Sequence, residues 1–213
     1  MSSLIAEGEH QELDFKCEIS DARKIARTLS AFSNTDGGRL LIGVKDNGRI
    51  SGVRSDEEYY MLESAAMLYC KPEVQFKSKA HSIEGKTVLE IYIPQVEKKP
   101  VYARDETNKW MAYIRVGDQN ALAGIIQVQV WKEKKKTKGR LLEFTRKEEI
   151  LLEYLGKESG VSLSKIQRDT GYRRKELVEL MTKLVRFDVV EMKFEDGNNR
   201  FSLRDAPGEE SFG

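Results

Sequence analysis

The sequence predicts an α+β protein in two parts. A larger domain over residues 1–131 mixes helices with strands, and a small domain over 141–205 carries three helices closed by a hairpin. Three observations lead there. Ala31–Gly52 reads AFSNTDGGRLLIGVKDNGRISG: helical spacing ends at a diglycine turn, a buried-strand run follows at once, and Asp46-Asn47-Gly48 folds the chain back. Lys132–Arg140 contains no apolar residue. Beyond it the apolar spacing changes to helix, helix, helix and a pair of strands.

In the first domain, residues 10–17 read as a short strand. Asp21–Ser33 is an amphipathic helix with Ile25, Leu29 and Phe32 at i, i+4 and i+7. Ser20 is its expected N-cap, with Asp21 in the first turn. Gly37-Gly38 supplies conformations that residues with a Cβ resist. Leu40–Val44 is almost continuously apolar, which predicts a central strand buried on both faces. Asn47-Gly48 between apolar runs predicts a hairpin whose two central residues reach positive φ. Ser55–Cys70 is a second helix, capped by Ser55. Glu73–Ser82 and Val88–Ile93 are strands turned at Gly85, and Pro94 ends the second because proline cannot donate into a ladder. Met111–Val116 is a further strand. Ala121–Trp131 reads as helix or amphipathic strand, with β-branched Ile125, Ile126, Val128 and Val130 weighing against helix.

In the second domain, Thr145 caps a helix running to Leu155, and Thr145-Arg146-Lys147-Glu148 fits a capping box. Ser162–Arg168 is a short second helix, Thr170-Gly171-Tyr172 a turn, and Arg173–Arg186 a third helix with Leu177, Leu180, Met181, Leu184 and Val185 inward. Val189–Phe194 pairs with Arg200–Leu203 across Asp196-Gly197-Asn198. The glycine-bearing turn and the terminal hairpin are the markers of a winged helix-turn-helix domain. Residues 206–213 read as a disordered tail.

Three separated motifs carry a family resemblance. Glu9-His10-Gln11-Glu12-Leu13-Asp14-Phe15-Lys16 follows the pattern E-x-x-x-x-E-F-K, with Asp14 in place of the second glutamate. Ala31–Gly52 follows AFxNTxGGxLxIGVxDxGxIxG almost completely, and Tyr113-Ile114-Arg115-Val116-Gly117 follows YxRVG. In this order they resemble the Schlafen AlbA-type domain (AlbA_2) over roughly residues 5–131. The resemblance implies a mixed-sheet α+β domain, a helix at 121–131, and nucleic-acid binding, with RNA cleavage in the Schlafen branch. Glu9 and Asp14 stand at the family's paired carboxylates, and Asp46 follows the central strand. Converging, the three would hold Mg or Mn through oxygen ligands, and the ion would activate water and neutralise charge on a transferring phosphoryl group. ATP hydrolysis is not expected. In Gly38-x-x-x-x-Gly43 the second glycine is followed by Val44-Lys45 rather than by Lys-Ser/Thr, and the strand follows the glycines instead of preceding them.

The formal net charge is only +1, so no global attraction to nucleic acid is built in. The positive excess is local: Lys132–Arg140 holds six Lys and Arg against one Glu. That linker is either a solvated hinge or a further phosphate contact. The sharper signal is Arg173, Arg174 and Lys175 at the start of the third helix of the second domain, where recognition helices reach base edges. Ser164, Tyr172, Lys183 and Arg186 are the expected phosphate contacts. The preferred expectation is a transcriptional regulator that binds double-stranded DNA, without a cofactor, in the cytoplasm, with a homo-oligomer as a second use of the first domain. The alternatives are a divalent-metal-dependent RNA nuclease and a non-catalytic protein-interaction module. Cys17 and Cys70 are too few for a disulfide framework, His10 and His81 too few for a histidine metal site, and no apolar run is long enough to span a bilayer.

Overall fold

A computed structural model describes residues 1–134 and 144–204. The chain divides into two compact units, Met1–Ala123 and Gly124–Gly213.

The first unit begins with a five-residue helix α1, Ser2–Ala6, which sequence spacing did not indicate. Strand β1 (Leu13–Lys16) leads to helix α2 (Ala22–Asn34) and strand β2 (Gly38–Ile42). Asp21, not Ser20, caps α2: its Oδ1 accepts from the Arg23 N–H at 2.8 Å. Helix α3 (Glu57–Leu68) is followed by β3 (Cys70–Lys71), β4 (Lys77–Ile83) and β5 (Lys86–Ile93). Then come β6 (Tyr102–Arg104), β7 (Trp110–Val116) and β8 (Gln119–Leu122).

Two four-stranded sheets result, ordered β1-β2-β5-β4 and β3-β6-β7-β8. The first is mixed, since β1 runs parallel to β2 while β2 and β5 are antiparallel. As its apolar run predicts, Leu40, Leu41 and Ile42 of β2 are fully buried. The main core joins α2 and α3 to Leu40, Ile42, Ile91 and Ile93 of the first sheet and to Ala103 and Tyr113 of the second. A smaller core on the far side of the first sheet joins Leu13, Phe15, Leu41, Val44 and Val88 to Met1, Leu4 and Ile5.

Two expected turns take different forms. The Asp46-Asn47-Gly48 hairpin shrinks to a single bridge, Val44 to Ile50. Only Gly48 has positive φ there, at 77°, and its N–H bonds to the Lys45 carbonyl at 2.7 Å. This is a tight turn followed by a left-handed glycine, which needs no positive φ at Asn47. At the diglycine, a Cβ on Gly38 would lie 2.5 Å from the Phe32 ring and 2.8 Å from the Glu12 carbonyl oxygen. Close approach of backbone to helix is what requires glycine at this position.

The second unit opens with α4 (Ile125–Lys134), so this stretch is helix despite its β-branched residues. Ile126 and Val130 pack among Leu151, Leu177 and Met181. The boundary between units therefore falls at Ala123/Gly124 rather than at 131, and residues 132–134 of the basic linker belong to α4. The rest of the linker, 135–140, and the tail, 206–213, lie outside the described residues. Helix α5 (Arg146–Lys157) has the expected capping box, with Glu148 Oε2 accepting from the Thr145 N–H at 3.0 Å. Strand β9 (Val161–Ser162), helices α6 (Leu163–Thr170) and α7 (Arg174–Arg186), and the β10 (Val190–Glu195) and β11 (Asn198–Leu203) hairpin complete it. Its sheet is ordered β10-β11-β9. Gly171 ends α6 in the left-handed conformation, φ 71°, as C-terminal glycines do. Among the described residues no helix is long and apolar enough to cross a membrane.

Candidate nucleic-acid interface

The motifs of the first unit meet at Arg115, which is 2% exposed. Its Nη2 lies 3.1 Å from Asp14 Oδ1 and donates to the Leu13 and His10 carbonyls at 3.2 and 3.3 Å. Nη1 donates to Asn120 Oδ1 at 3.2 Å, and the guanidinium sits 5.1 Å from the Phe32 ring centroid. A guanidinium carries five donors and keeps its charge, so burying it requires this density of partners. The Arg115 N–H donates to Thr35 Oγ1 at 2.9 Å. Next to it, Asn34 Nδ2 donates to the carbonyls of Val101 and Tyr113 at 2.8 and 2.9 Å, and Asn34 Oδ1 accepts from the Val101 N–H at 2.8 Å. The Asn-Thr pair of the second motif thus fastens α2 to β7, and the arginine of the third motif fastens β7 to the aspartate of the first.

Asp14 is itself 2% exposed, and its Oδ2 lies 2.7 Å from Lys16 Nζ. Glu9 Oε1 accepts from the Phe15 N–H at 2.9 Å. Burial raises the pKa of Glu9, the Phe15 N–H opposes that, and the neighbouring Asp14 carboxylate raises it further. Glu9 and Asp14 are therefore brought together, as the first motif implies. Asp46 does not join them: it is exposed in its turn and lines a hollow with Ser2, Ile5, Phe15 and Arg49. Among the described residues no three His, Cys, Asp or Glu side chains form a group that could hold a metal ion. With one Asp14 oxygen against Arg115 and the other against Lys16, Glu9, Asp14 and Asp46 do not form the three-carboxylate centre that the resemblance implies if they converge.

In the second unit, Arg173, Arg174 and Lys175 are all exposed at the start of α7. Arg174 Nη1 lies 3.4 Å from Gln167 Oε1 of α6. Ser164 and Arg174 line one hollow together with Ser162, Asn198 and Asn199, the last two at the start of β11. Ser162 caps α6, its Oγ accepting from the Lys165 N–H at 3.2 Å. The other expected contacts are engaged inside the unit. Lys183 Nζ donates to Glu148 Oε1, Arg186 Nη1 lies 3.1 Å from Glu133 Oε2, and the Tyr172 hydroxyl donates to the Lys147 carbonyl at 3.0 Å. Burial works to raise the Glu148 pKa, but hydrogen bonds from Lys183 and Thr145 outweigh it and hold the carboxyl down at about 2.

The Schlafen AlbA_2 family profile matches residues 9–124. The chain belongs to the Schlafen AlbA_2 family. The AlbA_2 match ends where the first unit ends, and α6 and α7 lie outside it. No curated protein matches the chain. Among solved structures, this AlbA_2 chain is similar to the DIP2311 protein of Corynebacterium diphtheriae, at 20% identity and a TM-score of 0.46, over 72% of this chain and 32% of that one. It spans about a third of that protein. It is also similar to the N-terminal domain of a RecG-related protein from Nitrosomonas europaea, at 22% identity and a TM-score of 0.43, over 68% of this chain and 95% of that domain.

Sequence reasoning missed Arg115 as the partner of Asp14, and Gln167, Asn198 and Asn199 as neighbours of Arg174 and Ser164. The conjunction of an acid in one motif with an arginine in another was the available signal for the first. The second set had none, because neutral amides in turns are too common to single out.

Proposed function

We propose that this AlbA_2 protein binds nucleic acid, and that its second unit is a winged helix-turn-helix that binds duplex DNA in the manner of a transcriptional regulator. The observation that carries the reading is the exposed run Arg173, Arg174, Lys175 at the N-terminus of the helix after the Gly171 turn. That is where a recognition helix meets base edges, and arginine there can fork onto guanine O6 and N7. Among the described residues, Arg173 and Lys175 have no ion-pair partner, so their charges remain available to phosphates or bases. Ser164 and the Asn198 and Asn199 side chains share the Arg174 hollow and supply neutral hydrogen-bonding groups for the flanking backbone. Lys183, Arg186 and Tyr172 serve the fold in this reading rather than the DNA.

The test is selection of a binding site from random duplex DNA, followed by titration of Arg173→Ala/Arg174→Ala. The double variant should lose about 1–3 kcal/mol of specific binding per bidentate contact removed, with its melting unchanged because both side chains are exposed. Failure to select any duplex, or equal affinity in the double variant, removes the reading. The same preparation, incubated with structured RNA and manganese, tests the nuclease alternative: cleavage that Glu9→Gln abolishes would reinstate it.

A further inference from the structure

Helix α1 packs on the far face of the β1-β2-β5-β4 sheet in a cluster that runs from Leu13 of β1 to Val88 of β5 and Ile83 of β4. At the other end of these strands the same face is exposed, and the ladder builds a particular row across it. Arg39 pairs with Tyr92, and Tyr92 pairs with Lys77, so an aromatic ring stands between two cations on three adjacent strands. Directly paired residues project to the same side, from strands about 4.8 Å apart. Tyr92 is 47% exposed, the Arg39 side chain 48%, and Lys77 is exposed. The next row is Leu41, Glu90 and Lys79, which adds a third cation. Glu90 is held by His81 Nε2 at 2.7 Å and by Arg39 Nε at 3.6 Å. Among the described residues Lys77 and Lys79 have no ion-pair partner.

Lysines on β4 also guard an open sheet edge against pairing with another chain. That role does not account for Tyr92 or Arg39, which lie on the inner strands β5 and β2. We propose that this row is a stacking platform for single-stranded DNA, with an unpaired base on the Tyr92 ring and the adjoining phosphates on Arg39, Lys77 and Lys79. Such platforms combine aromatic faces with a track of positive charge, and stacking tolerates any base. A duplex cannot use the row, because its base faces are already stacked. Glu7, Glu12 and Asp36 line the hollow beside Tyr92 on the α1 side, so phosphate is repelled there and the strand runs toward β4. His81 and Glu90 are bonded to each other at 2.7 Å, so the row offers stacking and phosphate charge, the contacts that single-stranded DNA supplies.

Fluorescence anisotropy with the full chain tests this, using labelled oligothymidine and oligouridine of equal length. Oligothymidine should bind, with oligouridine no tighter. Tyr92→Ala should weaken oligothymidine binding about ten-fold or more, and Tyr92→Phe should retain it within about two-fold, because the ring face survives. Lys77→Ala/Lys79→Ala should reduce the slope of log affinity against log salt by about 0.7 for each phosphate that is no longer neutralised. Thermal melts confirm that these exposed substitutions leave the fold in place. Arg173→Ala/Arg174→Ala should not change oligothymidine binding, so this inference and the duplex reading fail independently. No oligothymidine binding by the wild type, unchanged affinity in Tyr92→Ala, or a ten-fold preference for oligouridine would overturn it.

Discussion

Arg115 and Asp14 form a buried ion pair whose members answer for each other. Deleting one partner of such a pair leaves an uncompensated charge, which typically costs about 3–5 kcal/mol. Asp14→Ala should therefore destabilise the first unit by about 3 kcal/mol or more, read as a lower denaturation midpoint, while the exposed Asp46→Ala should be close to neutral. Glu9 carries the opposite pH signature to most carboxylates. Its pKa is raised in the folded state, so the native chain holds its proton at pH values where the unfolded chain has released it. Stability from this group falls as pH rises above the ordinary value of 4.5, and Glu9→Gln should flatten that limb. Glu148 has the usual sign. Its folded pKa of about 2 lies below the unfolded 4.5, so its contribution is present above pH 4.5 and disappears as pH falls toward 2. Glu148→Gln should lower the stability of the second unit at pH 7 by an amount on the order of 2 kcal/mol and remove its acid sensitivity in that window. At this scale the sequence displayed which residues matter but not to whom. Asp14 was legible as a motif position, whereas its partner Arg115 lies about a hundred residues away and only the sheet brings them together.

Elements with a long apolar period were legible, and short ones were not. α2, α5, α7, β2 and β5 lie within two residues of where apolar spacing placed them, although α2 is capped by Asp21. β3 has two residues, β6 three and β8 four, too few for alternation to stand out; β6 and β8 exist because β7 offers a ladder to join, and β3 because β6 does. α4 was ambiguous because β-branched residues disfavour helix locally, while burial of Ile126 and Val130 in the second core favours it. The diglycine is a glycine requirement, as its sequence suggests, but at Gly38 the reason is contact. Gly38→Val would drive its side chain into the Phe32 ring and the Glu12 carbonyl, so the first unit should lose about 3 kcal/mol or fail to fold. Gly85→Ala, with nothing within 4 Å of the added Cβ, should cost less, through its φ of +74° alone. Parallel urea titrations of the two variants distinguish crowding from backbone strain.

For the whole molecule, the sequence conveyed that there are two parts and misplaced the seam. Composition drew attention to the charged stretch beginning at Lys132, but packing sets the seam before α4. A fragment covering 124–213 should fold cooperatively by itself. One covering 141–213 lacks Ile126 and Val130 and should be several kcal/mol less stable, since each large buried side chain contributes about 1.5–3 kcal/mol. Equal melting of the two fragments would contradict the assignment of α4 to the second core.

That seam has a consequence for heredity. Only Ala123 and Gly124 separate the last strand of the first unit from the helix that opens the second. If recombination ever exchanged one unit for another, the crossover had to fall within a few codons of that dipeptide. A break inside the lysine codons downstream would have delivered a recipient gene a surplus helix and left the donor with an open core. The lysine-rich stretch, which looks like the natural place to cut, is the wrong place to graft.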